Sequence, residues 1–427
     1  MANFKTKIEQ ANQEAVKRMV DSQPVWVDVR QAIDVCPSLK KNMIMHAGPP
    51  ITWEKMAFIQ KSAVKGAMIY EGLAKTVEEA DHLVASGEVE LSPCHEHNTV
   101  GSMCGVTSPS MPVLVVKNET YGNEGYVLIY ESPERERLTF GSFGDRVIQN
   151  LKWIDEVAAP VLKALVAKMG PVNLKRIMAR ALTMGDELHS RNFASTAVFA
   201  LEVAPYLIEL DFDRKTLAEI ADFMKRSDQF FLHFVMAAGK VTADAANGIE
   251  YSTVLTAIAR NGVDVGIRVS SLPGQWFTGP AGIVEGLFFA GYTAEDAQPD
   301  TGDSAITETT GLGAFAHAAS PSLALTKGNV DMALKYTNEM QEICVGHNPN
   351  YGIPALGGKG APVGIDIRKV LDTGITPVID TAIGHKRCRQ IGVGNARVPI
   401  EAFKKAIVAF RKKYAHWVSM GGVIPSA

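Results

Sequence analysis

The feature that most constrains the fold is a continuous helical pattern in the middle of the chain. From about Asp145 to Arg260 apolar residues recur every three or four positions, and strand patterns are nearly absent. This repeat places apolar side chains on one face of a helix. Helices are predicted at 147–165, 172–182, 192–208, 215–225 and 229–247. We therefore predict a helical-bundle domain over residues 141–262.

The segment before this domain mixes helices and strands. Helical patterns run from Lys5 to Val20 and from Thr76 to Ala85. Two β-type runs, Pro112–Lys117 and Gly125–Glu131, flank a polar, glycine-containing stretch, which predicts a hairpin. Residues 1–140 are thus expected to form an N-terminal α+β domain.

The segment after the helical domain is rich in glycine and again mixed. Strands are predicted at 263–270 and 375–380, and helices at 305–318, 330–344 and 401–414. The stretch Gly346–Gly364 consists almost wholly of loop-forming residues and is predicted as a long loop. With 427 residues the chain exceeds the size of one hydrophobic core. We predict an α+β fold in which mixed domains, the second at 263–427, flank the helical bundle.

Charge and cysteine content exclude several classes of protein. The 43 Lys and Arg residues nearly balance the 46 Asp and Glu residues, which gives no basis for a nucleic-acid or membrane partner. No apolar run has the length of a membrane span, and the charged N-terminus does not resemble a secretory signal. Five scattered cysteines do not form a disulfide framework, so a cytoplasmic protein is expected.

Polar residues concentrate in five segments, of which the first two lie in the N-terminal region. His46 precedes Gly-Pro-Pro, which is either a structural turn or part of a substrate site. The second segment contains Cys94-His95-Glu96-His97 and continues to Thr107 and Ser108. Its residues could supply zinc ligands or a proton-transferring group, but the spacing matches no closed zinc site. We favour a polar loop that binds a small anion and expect no metal and no cofactor.

The third segment, Gly185–Asn192, lies at a joint between two predicted helices. Six of its seven residues from Asp186 onward are polar or ionisable, among them Glu187, His189 and Arg191. Asn192 is a candidate helix cap, but capping does not require the other polar residues. Binding residues commonly sit on loops held by a rigid scaffold, so we favour a functional site here.

The fourth and fifth segments supply further hydroxyl and cationic groups. Asp303 or Ser304 either caps a helix that contains Thr307 and Glu308 or helps to bind an anion at its N-terminus. Gly392-Val-Gly394 lacks the other features of a dinucleotide loop. Candidate anion-binding cations are Arg268, Lys359, Lys386 and Arg397.

These segments together resemble one family. They are His46-Ala-Gly-Pro-Pro-Ile, Cys94–His97, Gly101–Pro112, Gly185–Asn192, Asp303–Thr309 and Gln390-Ile-Gly392-Val-Gly394. The chain resembles, over nearly its whole length, the AllG/YlbE-like family, whose members include a subunit of oxamate carbamoyltransferase. The family fold is expected to be α+β with a separate helical domain.

The resemblance implies a carbamoyl-transferring enzyme of anaerobic allantoin breakdown. It would convert oxalurate, or a related ureido acid, and phosphate into oxamate and carbamoyl phosphate. Partner subunits of the AllF and AllH type are implied, and a homo-oligomer is left open. The chain lacks the Ser-x-Arg-Thr loop of other carbamoyltransferases, which argues against a shared mechanism with them.

Roles for individual residues are hypotheses. Fixed donors aimed at the tetrahedral oxyanion would contribute most to catalysis. We assign catalysis to a set comprising His189, Arg191, His95, His97 and Glu187. Substrate or phosphate binding is assigned to His46, Thr107, Ser108, Arg268, Ser304, Thr307, Lys359 and Arg397.

Three interpretations remain open at this point. The chain is either catalytic, or a non-catalytic scaffold or effector-binding subunit, or a metal-dependent ureido amidohydrolase centred on Cys94, His95 and His97. We expect the five polar segments to converge on one cleft, with His189 and Arg191 facing Gly346–Gly364.

Overall fold

The computed structural model describes residues 4–323 and 331–415, and its fold is α+β as predicted. The α-helices are α1 (Phe4–Asp21), α2 (Ala32–Val35), α3 (Phe58–Tyr70), α4 (Val77–Ala85), α5 (Asp145–Trp153), α6 (Ala159–Met169), α7 (Leu174–Thr183), α8 (Phe193–Leu207), α9 (Arg214–Arg226), α10 (Leu232–Asp244), α11 (Ile306–Thr309), α12 (Asp331–Ile343), α13 (Ile367–Thr373) and α14 (Ile400–Lys413). Short 3-10 helices lie at Trp53–Lys55, Cys94–His97, Leu138–Phe140, Ala294–Asp296, Gly313–Ala319 and Pro354–Leu356.

The strands form several small sheets, mostly antiparallel. They are β1 (Pro24–Gln31), β2 (Met43–His46), β3 (Glu90–Pro93), β4 (Thr99–Val100), β5 (Val106–Thr107), β6 (Pro112–Asn118), β7 (Glu124–Leu128), β8 (Val172–Asn173), β9 (Leu255–Asn261), β10 (Asp264–Val269), β11 (Phe277–Pro280), β12 (Glu285–Phe288), β13 (Thr301–Gly302), β14 (Cys344–Ile353), β15 (Lys359–Ile365), β16 (Val378–Gly384) and β17 (Gln390–Arg397). The sheet orders are β4-β7-β6-β1-β8, β3-β2-β5, β11-β10-β9-β13, β12-β17-β16 and β14-β15.

The N-terminal sheet confirms the predicted hairpin. Strands β6 and β7 pair antiparallel, with Val113 opposite Leu128 and Lys117 opposite Glu124. Helices α6 and α10 pack against this sheet. The helical segment therefore covers one face of the sheet and brings the N-terminal end of α10 close to the end of β7.

The middle segment is helical as predicted up to α10, except that Val172–Asn173, the start of the predicted helix 172–182, form strand β8. The residues of α5 and α6 at the predicted apolar positions are buried, namely Val147, Leu151, Val161 and Leu165. Val157, at the predicted position between the two helices, is only half-buried. A π-helical turn at Ile154–Ala158 adds a residue to the turn and rotates the face, so that Ala158 takes the buried position. Pro160, two residues after this turn, has no N–H to continue the regular ladder. The helical prediction is wrong for Leu255–Arg260, which form β9.

The C-terminal segment departs most from the predictions. Gly346–Gly364 is not a loop, because its two ends pair as the β14–β15 hairpin. At Gly364 a Cβ atom would lie 2.4 Å from Val16, so glycine here lets α1 pack closely against the hairpin. The predicted helix at Ala305–Ala318 is broken into α11 and the 3-10 helix Gly313–Ala319. Val330, at the start of another predicted helix, lies outside the described residues.

Hydrophobic packing connects the segments. The largest core cluster includes Trp26 of β1, Phe234 of α10 and Ala361 of β15, which come from all three predicted domains. The division into three domains with the predicted boundaries stays a prediction. Within the described ranges, no helix has both the length and the apolar character required to cross a membrane.

Candidate functional site

One cleft brings together polar side chains that are distant in the sequence. It opens between the helical segment, the end of β7 and the β16–β17 strands, and the space between its walls is about 620 Å³, part of it open to solvent. It draws on four of the five polar segments, but not on the β14–β15 hairpin. Its lining consists of Ser102, Met103, Tyr130, Glu131, Arg137, Thr139, Phe140, His189, Ser190, Gln229, Leu232, His233, Ser304, Ala382, Gln390 and Val393.

His189 is held in the cleft wall by a buried carboxylate. Its Nδ1 lies 2.7 Å and 2.9 Å from the two carboxylate oxygens of Glu308. Burial alone would raise the pKa of Glu308, but the charge and hydrogen bond of His189 outweigh it and keep that pKa below its usual value. An ionised Glu308 fixes a proton on Nδ1 of His189. This arrangement leaves Nε2 as the atom that can meet a ligand, as in other carboxylate–histidine pairs.

The carboxylate of Glu308 has three further donors. Thr307 Oγ1 donates to Oε2 at 2.7 Å, and the N–H groups of Ala314 and Asp380 donate to Oε1, each at 3.1 Å. The break between α11 and the next 3-10 helix makes this geometry possible. A Cβ atom at Gly313, whose φ is +57°, would lie 2.0 Å from Glu308 Oε1. Gly313 is therefore required for the close packing around the carboxylate.

Glu187 folds the loop that carries His189. Its carboxylate accepts hydrogen bonds from the backbone N–H groups of His189, Ser190 and Arg191, and the last of these is 3.0 Å long. Burial raises the pKa of Glu187 to about 8, although these N–H donors favour the ionised form. Glu187 thus shapes the loop from beneath and does not line the cleft.

The helix that follows the loop is capped by Asp186. Its carboxylate accepts a hydrogen bond from Ser195 N–H at 2.7 Å in the first turn of α8. Asn192, the predicted cap, makes no such bond and instead donates to Gln229 Oε1 at 2.8 Å. Gln229 also donates to the carbonyl of Ser190. These contacts join the loop to the start of α10.

Ser102 and His233 form a second pair in the cleft. The Ser102 hydroxyl lies 3.0 Å from Nε2 of His233, and Nδ1 of His233 lies 2.6 Å from the carbonyl oxygen of Leu128. A carbonyl only accepts hydrogen bonds, so Nδ1 carries a proton. Burial lowers the pKa of His233 to about 4. The ring is therefore neutral near pH 7, and its Nε2 accepts the hydroxyl proton of Ser102.

Arg137 provides a buried cation in the cleft wall. Its guanidinium donates to the hydroxyl of Tyr130 and to the carbonyl of Ser132, and it lies 4.8 Å from the ring centre of Phe140. Among the described residues, no hydrogen-bond partner takes up its Nε. A guanidinium fixed in this way matches the planar geometry of a carboxylate or phosphate.

Comparisons with known proteins identify the family of this chain. The sequence pattern of the family described as oxamate carbamoyltransferase subunit AllG matches residues 89–304. The chain is 41% identical over 410 residues to the Escherichia coli K12 protein named oxamate carbamoyltransferase subunit AllG, covering 95% of this chain and 98% of that protein. The chain belongs to the AllG family.

Two further relatives extend the comparison over the whole chain. The uncharacterized Escherichia coli K12 protein YahG is 48% identical over 411 residues, which cover 96% of this chain and 87% of YahG. A crystal structure of a conserved protein of unknown function from Enterococcus faecalis V583 aligns with a TM-score of 0.94 and 45% identity, covering 96% of this chain and 99% of that one. The fold described here is thus shared by an experimentally determined structure.

Four of the residues predicted for the site in this AllG-family chain lie in the cleft or directly behind it. His189 and Ser304 line the cleft. Thr307 supports the carboxylate of Glu308, and Glu187 shapes the loop. Arg191 is partly exposed, and its Nε lies 3.5 Å from Asp186 Oδ1.

His46 and His95 are both buried. His46 Nδ1 lies 2.9 Å from the carbonyl of Ala47, and burial lowers the pKa of His46 to about 4. His95 Nε2 is 3.8 Å from Asp303 Oδ1, and burial, with Lys240 and Arg268 nearby, lowers the pKa of His95 well below its usual value. Neither histidine lines the cleft.

A polar cluster outside the cleft, here called the Glu96 cluster, contains Ser92, Glu96, His97, Arg268 and Trp276. The carboxylate of Glu96 accepts hydrogen bonds from Arg268 and from Trp276 Nε1, the latter at 2.9 Å. His97 Nε2 lies 2.8 Å from the hydroxyl of Ser92, and its Nδ1 contacts a backbone carbonyl. Two predicted site residues, His97 and Arg268, therefore lie in this cluster.

The remaining predicted residues are also outside the cleft. Thr107 is buried in β5, and Ser108 donates to Glu71 at 2.6 Å. Lys359 donates to Gln341 at 2.6 Å on an exposed surface, and Arg397 contacts Glu339. Their roles in substrate or phosphate binding stay predictions.

No cluster of three or more His, Cys, Asp and Glu side chains that could hold a metal ion occurs within the part of the chain that the structure describes. The five cysteines are not paired with one another, and four of them are buried.

Sequence reasoning missed four residues of the cleft and its support. Ser102 lies in the glycine-containing segment Gly101–Pro112. Its position between Gly101 and Gly105 is the sequence pattern that indicates a turn carrying a hydroxyl group. His233 is a single polar residue in an apolar helix, and Arg137 lies in a charged loop, so neither stood out. Glu308 was interpreted as a first-turn residue, because its partner His189 is 119 positions away.

Proposed function

We propose that this chain is a carbamoyltransferase subunit whose cleft binds a small ureido acid. The reaction is the transfer of the carbamoyl group of oxalurate, or of a related ureido acid, to phosphate, with oxamate and carbamoyl phosphate as products. One observation supports it best. The guanidinium of Arg137 and the imidazole of His189, which Glu308 orients, line the same cleft of an AllG-family chain.

Arg137 is assigned to the negative charge of the substrates. Oxalurate carries a carboxylate and the acceptor is a phosphate, and both geometries fit a guanidinium fork. Among the described residues the buried Nε of Arg137 has no hydrogen-bond partner, and the contact between the guanidinium and the ring of Phe140 limits its movement. A guanidinium fixed before binding loses little conformational freedom when the anion arrives.

His189 is assigned to the ureido carbonyl and the leaving nitrogen. Attack on the carbamoyl carbon places negative charge on its oxygen, and a preorganised donor at that oxygen contributes most to such reactions. With Nδ1 bound to Glu308, the Nε2 atom of His189 can donate to this oxygen or exchange a proton with the leaving nitrogen. Ser304, on the same wall, supplies a hydroxyl for the rest of the ligand.

Partner subunits of the AllF and AllH type are part of the proposal. The cleft has one fixed guanidinium for two anionic reactants, so a partner is expected to supply further cationic groups for phosphate. We place the complex in the cytoplasm, in agreement with cysteines that are not paired with one another.

The test compares the lone chain with a complex purified after co-expression with its AllF-type and AllH-type subunits. The complex is expected to release carbamoyl phosphate from oxalurate only when phosphate is present, and the lone chain to show little or no activity. Related ureido acids are assayed in parallel to identify the preferred substrate. Absence of turnover by a well-formed complex on every ureido acid would contradict the proposal. Unchanged turnover in the His189→Gln complex would instead indicate that this chain is a non-catalytic scaffold.

A further inference from the structure

The proposed roles of Arg137 and His189 leave one chemically capable pair in the cleft without a function. The hydroxyl of Ser102 donates to Nε2 of His233 over 3.0 Å, and the far side of the ring is fixed by the carbonyl of Leu128. A hydroxyl whose proton is directed at a neutral imidazole has the arrangement of an activated nucleophile. Both residues face the same cleft as His189 and Arg137.

The turn that presents Ser102 is held tightly. Met103, the next residue, has a φ of +51°, in the left-handed region that non-glycine residues seldom adopt. Gly101 donates its N–H to Asp303 at 2.9 Å, and Gly105 donates to the carbonyl of Ser102 at 2.8 Å. A Cβ atom at Gly302 would lie 2.7 Å from the nitrogen of Met103, so the neighbouring strand packs directly against the turn. Unusual backbone angles that persist under such packing are common at active sites.

The charge of the reactants supplies a reason for a covalent step. Oxalurate and phosphate are both anions, and the cleft provides one fixed guanidinium, Arg137. Two anions held side by side in a partly desolvated cleft repel each other. If the carbamoyl group first moves to the protein, oxamate can leave before phosphate binds, and the two anions occupy the guanidinium in turn.

We propose that Ser102 is a nucleophile that carries the carbamoyl group, with His233 as its general base. This inference rests on the proposed function. Ser102 Oγ forms a bond to the carbamoyl carbon while its proton moves to His233 Nε2. The bond between that carbon and the oxamate nitrogen then breaks, and His233 returns the proton to this nitrogen. A phosphate oxygen next attacks the carbamoyl carbon while the proton of that phosphate P–OH group moves to His233 Nε2. The Oγ–carbon bond then breaks, and His233 passes this proton to Oγ. No oxidant or further reactant is needed.

The experiment uses the assembled complex and isotope-labelled oxamate. A carbamoyl-Ser102 intermediate lets the enzyme exchange labelled oxamate into unlabelled oxalurate when no phosphate is present. Exchange is expected in the wild-type complex and is expected to fall on the order of 10³-fold in Ser102→Ala, as in other enzymes that lose a nucleophile. Acid quenching of the wild-type complex with oxalurate, followed by peptide mass mapping, is expected to find the carbamoyl group on Ser102.

The matched control is Ser92→Ala. Ser92 contacts His97 Nε2 over 2.8 Å, and His97 Nδ1 contacts a backbone carbonyl, so the same type of hydrogen bond is lost outside the cleft. Exchange and turnover are expected to stay within about twofold of wild type. Thermal unfolding of both variants shows whether each one folds.

Three results would overturn the inference. The first is turnover with phosphate but no oxamate exchange without it, which means direct transfer and leaves the proposed function standing. The second is a folded Ser102→Ala variant with wild-type exchange. The third is a wild-type complex inactive on oxalurate and related ureido acids, which removes the proposed function as well.

Discussion

The cleft and the Glu96 cluster contain the same Ser–His arrangement in different surroundings. In the cleft, Ser102 bonds Nε2 of His233, and in the Glu96 cluster Ser92 bonds Nε2 of His97. In both, Nδ1 contacts a backbone carbonyl. The two pairs differ in that only the first opens onto a space lined by an arginine and a second histidine. Hydrogen-bond geometry by itself therefore does not distinguish a reactive pair from a structural one.

The arginines of the two regions differ in the same way. Arg137 lies on the ring of Phe140 and bonds hydroxyl and carbonyl oxygens, whereas Arg268 lies 4.5 Å from the ring centre of Trp276 and bonds the carboxylate of Glu96. A guanidinium paired with a carboxylate has its charge compensated already. Arg137 instead bonds no carboxylate in these two contacts, although the buried Glu131 lies near it in the lining, so we expect Arg137 to attract an anion into the cleft. The following predictions test this distinction.

The largest effect is expected for His189→Gln. Glutamine keeps a polar side chain but loses the imidazole that Glu308 orients, and a missing acid–base group costs about 10²–10⁴-fold in rate. We expect kcat of the complex to fall about 10³-fold in a variant that still folds, with a lowered Tm because Glu308 stays buried without its imidazole partner. The parallel variant His97→Gln is expected to lower stability by about 1 kcal/mol through its lost hydrogen bonds, with kcat unchanged. Loss of kcat in His97→Gln would support the original sequence prediction for His97.

A smaller effect is expected when the arginines are exchanged for lysine. Lysine retains the charge but not the fork, so Arg137→Lys should raise KM for oxalurate or phosphate about 10–100-fold. Arg268→Lys should leave both KM values within about twofold and shift only stability. The measurement is steady-state kinetics with each substrate varied in turn. A rise in the phosphate KM in Arg268→Lys would break the comparison and restore Arg268 as the phosphate site.

Gly313→Ala tests whether close packing around Glu308 matters for activity. The added Cβ would lie 2.0 Å from Glu308 Oε1, so the carboxylate and His189 must move. We expect kcat to fall about tenfold, because small displacements of catalytic groups are costly. Gly357→Ala is the control, since Gly357 also has a positive φ, +67°, but no atom lies within 4 Å of the added Cβ. It should lose about 1 kcal/mol of stability and no activity.

The smallest effect is a pH dependence of stability. Burial lowers the pKa of His233 to about 4, so as pH falls below the unfolded value near 6.5 the unfolded chain takes up a proton that the folded chain does not. The wild type should thereby lose about 1 kcal/mol of unfolding free energy between about pH 7 and about pH 5.5, relative to His233→Gln. Urea unfolding at both pH values measures this change. The difference in unfolding free energy between wild type and Ser62→Ala should stay constant over this range, because Ser62 bonds a carbonyl and the thiol of Cys388, whose pKa lies above its usual value.

The sequence predicted most elements with a strong local pattern. The apolar stripes of α5–α10 and the β6–β7 hairpin were found because each depends on residues close together in the chain. The β14–β15 hairpin was missed because its glycine-rich strands pair through the backbone, and its packing depends on α1.

The candidate site was predicted only in part, for the same physical reason. His189 and Ser304 were identified from local polar density, and both line the cleft. That density was equally high at Cys94–His97, which forms no part of the lining. The two places differ in the partners that contact them. Glu308, which contacts His189, is 119 positions away in the sequence, and Arg268, which contacts Glu96, is 172 positions away. Contacts over such distances leave no local sequence pattern.

The residues that line the cleft are far apart in the sequence, and this separation has a consequence for biosynthesis. Ser102 leaves the ribosome early, whereas Val393 of β17 leaves among the last residues that the structure describes. A nascent chain, or one cut before β17, therefore has histidines and a serine but no finished cleft to bind a substrate. The lining of this cleft can be complete only after β17 has been synthesised.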